Sequence, residues 1–168
     1  MFEKFGEFDS VKELNTKAAE LKGQNDEESL VVLAIENGLT REDAEDYMDD
    51  CTDTLATALQ AATGKLRMES KELNLAGILT DWVGELINLC IEDEAFRAAV
   101  RKKGRGLDGF IAVTADTGYK NRCKVCKKIV EKTVEVKKVI GSHEFSIGIP
   151  DKATRRKLAY EYYMRAEA

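Results

Sequence analysis

The chain has 168 residues, 43% hydrophobic and 34% charged, with a formal net charge of −5. A domain of this size buries about 70% of the surface its unfolded chain would expose, so it needs neither disulfides nor a metal to fold, and the composition is not that of a disordered chain. The single histidine, His143, excludes sites built on two histidines; the single proline, Pro150, excludes Pro-rich linkers; and no apolar run approaches the ~20 residues that span a bilayer.

The opening MFEKFGEFDS has no basic n-region and no apolar h-region, so a cytoplasmic protein without a secretory signal is expected. Ser10 followed by Glu13 has the form of a capping box, and Val11, Leu14, Ala18 and Leu21 then recur at helical spacing up to Gly23. A second helix is expected from Asp26 to Asn37, stopped by Gly38, and a third after Thr40, with Asp43 completing its cap. A fourth runs from Thr54 to Ala62 and stops at Gly64. The longest run, Glu69 to Ile91, carries Leu75, Ile78, Leu79, Trp82, Leu86, Leu89 and Cys90 as one apolar stripe, interrupted by Gly77 and Gly84. A helix over Asp93 to Lys103 stops at Gly104, and a short one follows through Leu107, Phe110, Ile111 and Val113. Residues 119–138 are ambiguous, TVEVKKVI at 133–140 is β-branched enough for a strand, and Phe145, Ile147 and Ile149 alternate as in a strand. Asp151 caps a last helix over Lys152 to Arg165. The expected fold is mainly α, a multi-helix bundle with a minor short β element near 133–149.

Charge is divided along the chain. Residues 1–96 hold 8 Lys and Arg against 23 Asp and Glu, a net −15; residues 97–168 hold 18 against 8, a net +10. An acidic lobe (1–96) and a basic α(+β) lobe (97–168) are expected, packed as a single domain, with the Gly-rich stretch at 104–109 between them. Such asymmetry speaks to partners: acidic surface seeks basic clefts, basic surface seeks nucleic acid, and a carrier of both suits a nucleoprotein. The plain alternative is that the two parts neutralise each other.

The helices around Gly38 have the outline of a helix-turn-helix, with Ala34, Gly38 and Ala44 at the small, turn and packed positions. DNA-reading chemistry is absent from REDAEDYMDDCTD at 41–53, where Glu42, Asp43, Glu45, Asp46, Asp49, Asp50 and Asp53 stand against Arg41 alone. These acids form a candidate partner-binding face, or an ordinary solvated one; the glycine and terminal glutamate of a calcium loop are missing. Candidate phosphate contacts are Arg101, Lys102, Lys103 and Arg105, then Lys120, Arg122, Lys124, Lys127 and Lys128 beside Tyr119, then Arg155, Arg156 and Lys157. Lys and Arg also suit helix C-termini, which accounts for 101–103 without a ligand.

GRGLDG at 104–109 follows an expected helix and not a strand, which excludes the dinucleotide reading. ATGKL at 62–66 lacks the first glycine of a P-loop and reads as a helix end. Cys123 and Cys126 form a C-x-x-C, but Cys51, Cys90 and His143 are too scattered to complete a zinc site. No nucleophile with a base is visible, so no catalytic role and no cofactor are expected.

The stretches FEKFGEFDSVKELN (2–15), LAIENGLTREDAEDYMDD (33–50) and IGIPDKATRRKLAYEYYM (147–164) resemble small proteins carried on mobile elements of Clostridia-like bacteria. Within that group the chain is similar to type II-A anti-CRISPR proteins, the inhibitors of Cas9-type nucleases. The resemblance implies an inhibitor of a guide-RNA-loaded effector; the charge layout itself supplies the expected form, non-enzymatic occupancy that blocks target binding or cleavage, with the acidic helix 41–53 imitating DNA and the basic part contacting DNA or RNA. Two other classes remain: a nucleic-acid or nucleoprotein accessory protein of a mobile element acting through basic residues 97–128, and an interaction module with a helical groove around Trp82.

Overall fold

Side-chain caps open most of the helices. In the computed structural model of the protein, which describes residues 2–165, the Ser10 hydroxyl accepts from the Glu13 N–H at 3.2 Å and starts α1 (Val11–Gly23). Asp26 does the same for α2 (Glu27–Glu36), and Thr40 with Asp43 forms a full capping box for α3 (Arg41–Met48). Thr57 and Gln60 form a second box at α4 (Ala58–Glu72). α5 (Ile78–Glu92) follows Gly77, and Asp93 caps α6 (Glu94–Arg101). α7 (Leu107–Lys120) has no cap of its own; Glu69 of α4 accepts from the Leu107 N–H at 2.9 Å. Asp151 caps α10 (Lys152–Tyr163).

Two apolar clusters hold the bundle. Leu14, Leu30, Leu33, Ala34, Tyr47 and Ala61 join α1, α2 and α3 to the start of α4. Leu66, Trp82, Leu86, Phe96, Phe110 and Tyr163 join α4, α5, α6, α7 and α10. α4 serves both, with Ala61 in one cluster and Ala62 in the other. Of the expected lobes, Met1 and residues 166–168 lie outside the described residues. Residues on either side of 96 share the second cluster, where Phe96 meets Tyr160 and Tyr163 at ring-centroid distances of 5.1 and 5.5 Å.

The chain is mainly helical with one two-stranded antiparallel sheet, as expected. β1 (Cys123–Lys124) pairs with β2 (Ser146–Ile147) in the register Cys123–Ile147 and Lys124–Ser146. Between them lie α8 (Lys127–Val130) and α9 (Glu135–Ile140). Of the strand expected at 133–140, residues 135–140 are therefore a helix: among the described residues no strand pairs with them, and β-propensity counts only where one does. A Lys138–Glu135 ion pair at 2.8 Å adds local helical support.

Three further expectations are corrected. Gly64 does not stop a helix but lies inside α4, where the backbone of Asn37 and Gly38 comes so close that a Cβ would overlap the Asn37 carbonyl. The long stripe is not one helix: it breaks between Glu72 and Ile78, where Asn74 and Gly77 take positive φ of 49° and 58°. α3 ends at Met48, so Asp49, Asp50 and Asp53 lie in the following loop and not on a helix face.

Candidate functional site

The acids of 41–53 divide by role. Asp43 is committed to the cap, accepting from the Thr40 N–H and hydroxyl, both at 2.7 Å. Glu45 lies 3.7 Å from Arg41, and Asp50 takes Lys22 at 2.5 Å. Glu42, Asp46, Asp49 and Asp53 are exposed and make no ion pair among the described residues. Asp49 and Asp50 sit at the C-terminal end of α3, where the helix dipole already places negative potential. Lys22 serves that end of α3, donating to the Tyr47 carbonyl and to Asp50, which leaves Asp46 and Asp49 as the unpaired acids of a negative tip.

The first basic cluster is interior. Arg101 is 1% exposed; its guanidinium donates to Phe8 O and Asn37 Oδ1, each at 3.2 Å, and to Ala61 O at 3.4 Å. Burial pulls its pKa down, while Glu7, Glu69 and Glu13 oppose that. Arg105 is 5% exposed and donates to the carbonyls of Tyr163 and Arg165. Neither is placed to meet a phosphate, which corrects their assignment as nucleic-acid contacts. Lys103 is exposed, with its N–H on Asp9 at 3.0 Å and its ammonium 3.9 Å from Glu13, and Lys102 is half-buried. Arg155 and Arg156 are likewise engaged, the first with Glu85 at 2.6 Å and the second with Glu92 at 2.9 Å.

The second basic cluster has the opposite placement. After the buried Gly118 the chain leaves the bundle and returns at Gly148 and the buried Pro150; the two glycines cross so closely that a Cβ on either would overlap the other's carbonyl. No residue between 119 and 149 is buried. This arm carries eight Lys and Arg against three Glu. Lys120, Arg122, Lys124, Lys127 and Lys128 all lie on it and are exposed. It also carries Lys132, Lys137 and Lys138, exposed lysines in and beside the stretch expected as a strand, for which the run of lysines is the sequence signal. Ile129, Val134 and Val139 are exposed as well, Val139 to 85%.

The groove expected around Trp82 is closed. Trp82 is 5% exposed, and a cavity of about 70 Å³ between α5 and α10 is rimmed by the two-bonded Arg155–Glu85 pair. The Trp82 indole N–H is buried without an acceptor. ATGKL lies inside α4, and Lys65 is fully buried between Glu7 at 2.5 Å and Glu69 at 3.8 Å. Burial lifts the Glu69 carboxyl from its ordinary 4.5 to about 7, against the pull of Lys65 and the Leu107 N–H. GRGLDG runs from the turn after α6, where Gly104 takes φ 69°, into the first turn of α7, with no strand before it. Cys51, Cys123 and Cys126 are exposed free thiols and Cys90 is buried. Among the described residues no three His, Cys, Asp or Glu side chains group to hold a metal, and no helix is long and apolar enough to cross a membrane.

No protein-family model, curated protein or solved structure matches the chain.

Proposed function

We propose that the protein is a non-enzymatic inhibitor that binds a guide-loaded Cas9-type effector in the cytoplasm and blocks target DNA binding or cleavage by occupancy. The observation that carries this reading is the acidic surface of α3 and of the loop at its C-terminal tip, where Glu42, Asp46, Asp49 and Asp53 are exposed and make no ion pair among the described residues. Such a tip suits a channel lined with cations for nucleic acid. The resemblance of the three sequence stretches to anti-CRISPR proteins supplies the effector. Titration into a guide-loaded nuclease, with labelled-target binding and cleavage read together, tests it. Reversing Glu42, Asp46, Asp49 and Asp53 to Lys, with the Asp43 cap left intact, is expected to abolish inhibition without changing the circular dichroism spectrum. Inhibition equal to the parent's refutes the acidic contact, and no inhibition by the parent against several such nucleases refutes the effector.

The exposed basic arm favours a second reading, an accessory protein that contacts nucleic acid for a mobile element. Bare-oligonucleotide binding without inhibition selects it.

A further inference from the structure

We infer that the arm, residues 119–149, is a clamp for single-stranded nucleic acid that holds the phosphodiester backbone with lysines and stacks a base at its root. The inference rests on the second reading above in taking nucleic acid as the partner, and goes beyond it in placing the site, its chemistry and its strand preference.

Lys120, Lys127, Lys128, Lys132 and Lys137 are exposed and make no ion pair among the described residues. Two of the arm's three acids are already used, Glu144 by Lys124 and Glu135 by Lys138. Lys127 and Lys137 line one cleft of about 680 Å³ together with His143 and Glu131. With two of its three acids spent on two of its cations, the arm is left net positive, and three lysines (Lys124, Lys127 and Lys137) face two glutamates in its cleft; phosphate is the ligand such point charges hold. At the root, Tyr119 is 66% exposed, and the Arg122 guanidinium lies over its ring at 4.1 Å. An exposed aromatic ring with a stacked guanidinium is the platform on which unpaired bases settle; in a duplex the bases are already stacked on one another. A membrane surface is disfavoured, because α8 and α9 have only four and six residues, too few to lay an apolar face into a lipid interface.

The test is binding of the full chain to a short labelled oligonucleotide of mixed sequence, as RNA, single-stranded DNA and duplex DNA, between 50 and 200 mM salt. Five neutralised phosphates give a slope of log K on log salt of ~−3.5 for a single strand, an affinity loss of ~10²-fold over that range. Lys127→Ala with Lys137→Ala is expected to reduce the slope by ~1.4, and Lys128→Ala with Lys132→Ala by the same amount. Tyr119→Ala is expected to cost ~10-fold on single strands, and Lys157→Ala on α10 to change nothing. Equal affinity for RNA and single-stranded DNA assigns recognition to the shared backbone, and tighter RNA binding adds the 2′-hydroxyl. Absence of binding at 50 mM salt, a slope unmoved by both lysine pairs, a duplex preferred over single strands, or binding to phosphatidylserine vesicles instead would overturn the clamp. Oligonucleotide binding whose affinity and slope survive both lysine-pair variants leaves the nucleic-acid reading standing while the clamp fails, and no binding to any oligonucleotide overturns both.

Discussion

Replacing Arg101 with Leu removes a guanidinium that ties three parts of the bundle together: the N-terminal segment at Phe8, the end of α2 at Asn37 and the first turn of α4 at Ala61. The Ala61 carbonyl keeps its partner within α4. The fully buried Asn37 Oδ1 loses its partner at a cost of ~1–3 kcal/mol, and the half-buried Phe8 O loses its own at a smaller one because water can reach it. Relief from desolvating the guanidinium offsets part of this. The net expectation is a loss of ~1–3 kcal/mol, a large part of the ~5–15 kcal/mol that stabilises a domain. Urea denaturation reads it as a midpoint shift of ~1 M at unchanged slope. Arg101→Lys keeps the charge, but one ammonium cannot span all three acceptors, so it recovers only part of the loss. A change below ~0.5 kcal/mol in Arg101→Leu would refute the structural assignment. So would a reduced salt slope for oligonucleotide binding in Arg101→Lys, since that marks a phosphate contact.

Gly64→Ala gains ~0.5–1 kcal/mol of helix propensity but sets a Cβ into the Asn37 carbonyl, so a net loss of ~1–3 kcal/mol is expected; a raised Tm by calorimetry would contradict the close approach of α4 to the α2 end. Glu69 has its folded pKa raised to about 7 from 4.5, so its contribution to stability is fully present below 4.5 and is lost as pH rises through 7, by up to ~3 kcal/mol. Glu69→Gln keeps an oxygen for the Leu107 N–H and is expected to flatten that decline in denaturation measured from pH 5 to 8; parallel pH profiles for the two proteins would refute the assignment.

The order of residues dictates local structure wherever the determinant lies within a few positions. Ser10, Asp26, Thr40, Asp93 and Asp151 cap helices whose apolar periodicity was legible, and the alternation around Ile147 marked a strand. It also determined the charge asymmetry, because charge is additive in composition. Tertiary structure decided everything that depends on a distant partner. Gly64 is a helix-packing position only because Gly38 lies against it, and residues 135–140 are helical where no described strand pairs with them. The α7 start is capped by Glu69 from α4, a contact across 38 positions that no local pattern encodes. The basic residues show the limit most clearly. Arg101 and Arg105 read in sequence like Lys127 and Lys128, yet the first pair satisfies buried carbonyls and the second faces water. Composition counts a charge once wherever it lies; burial decides whether it holds the fold together or remains available to a partner.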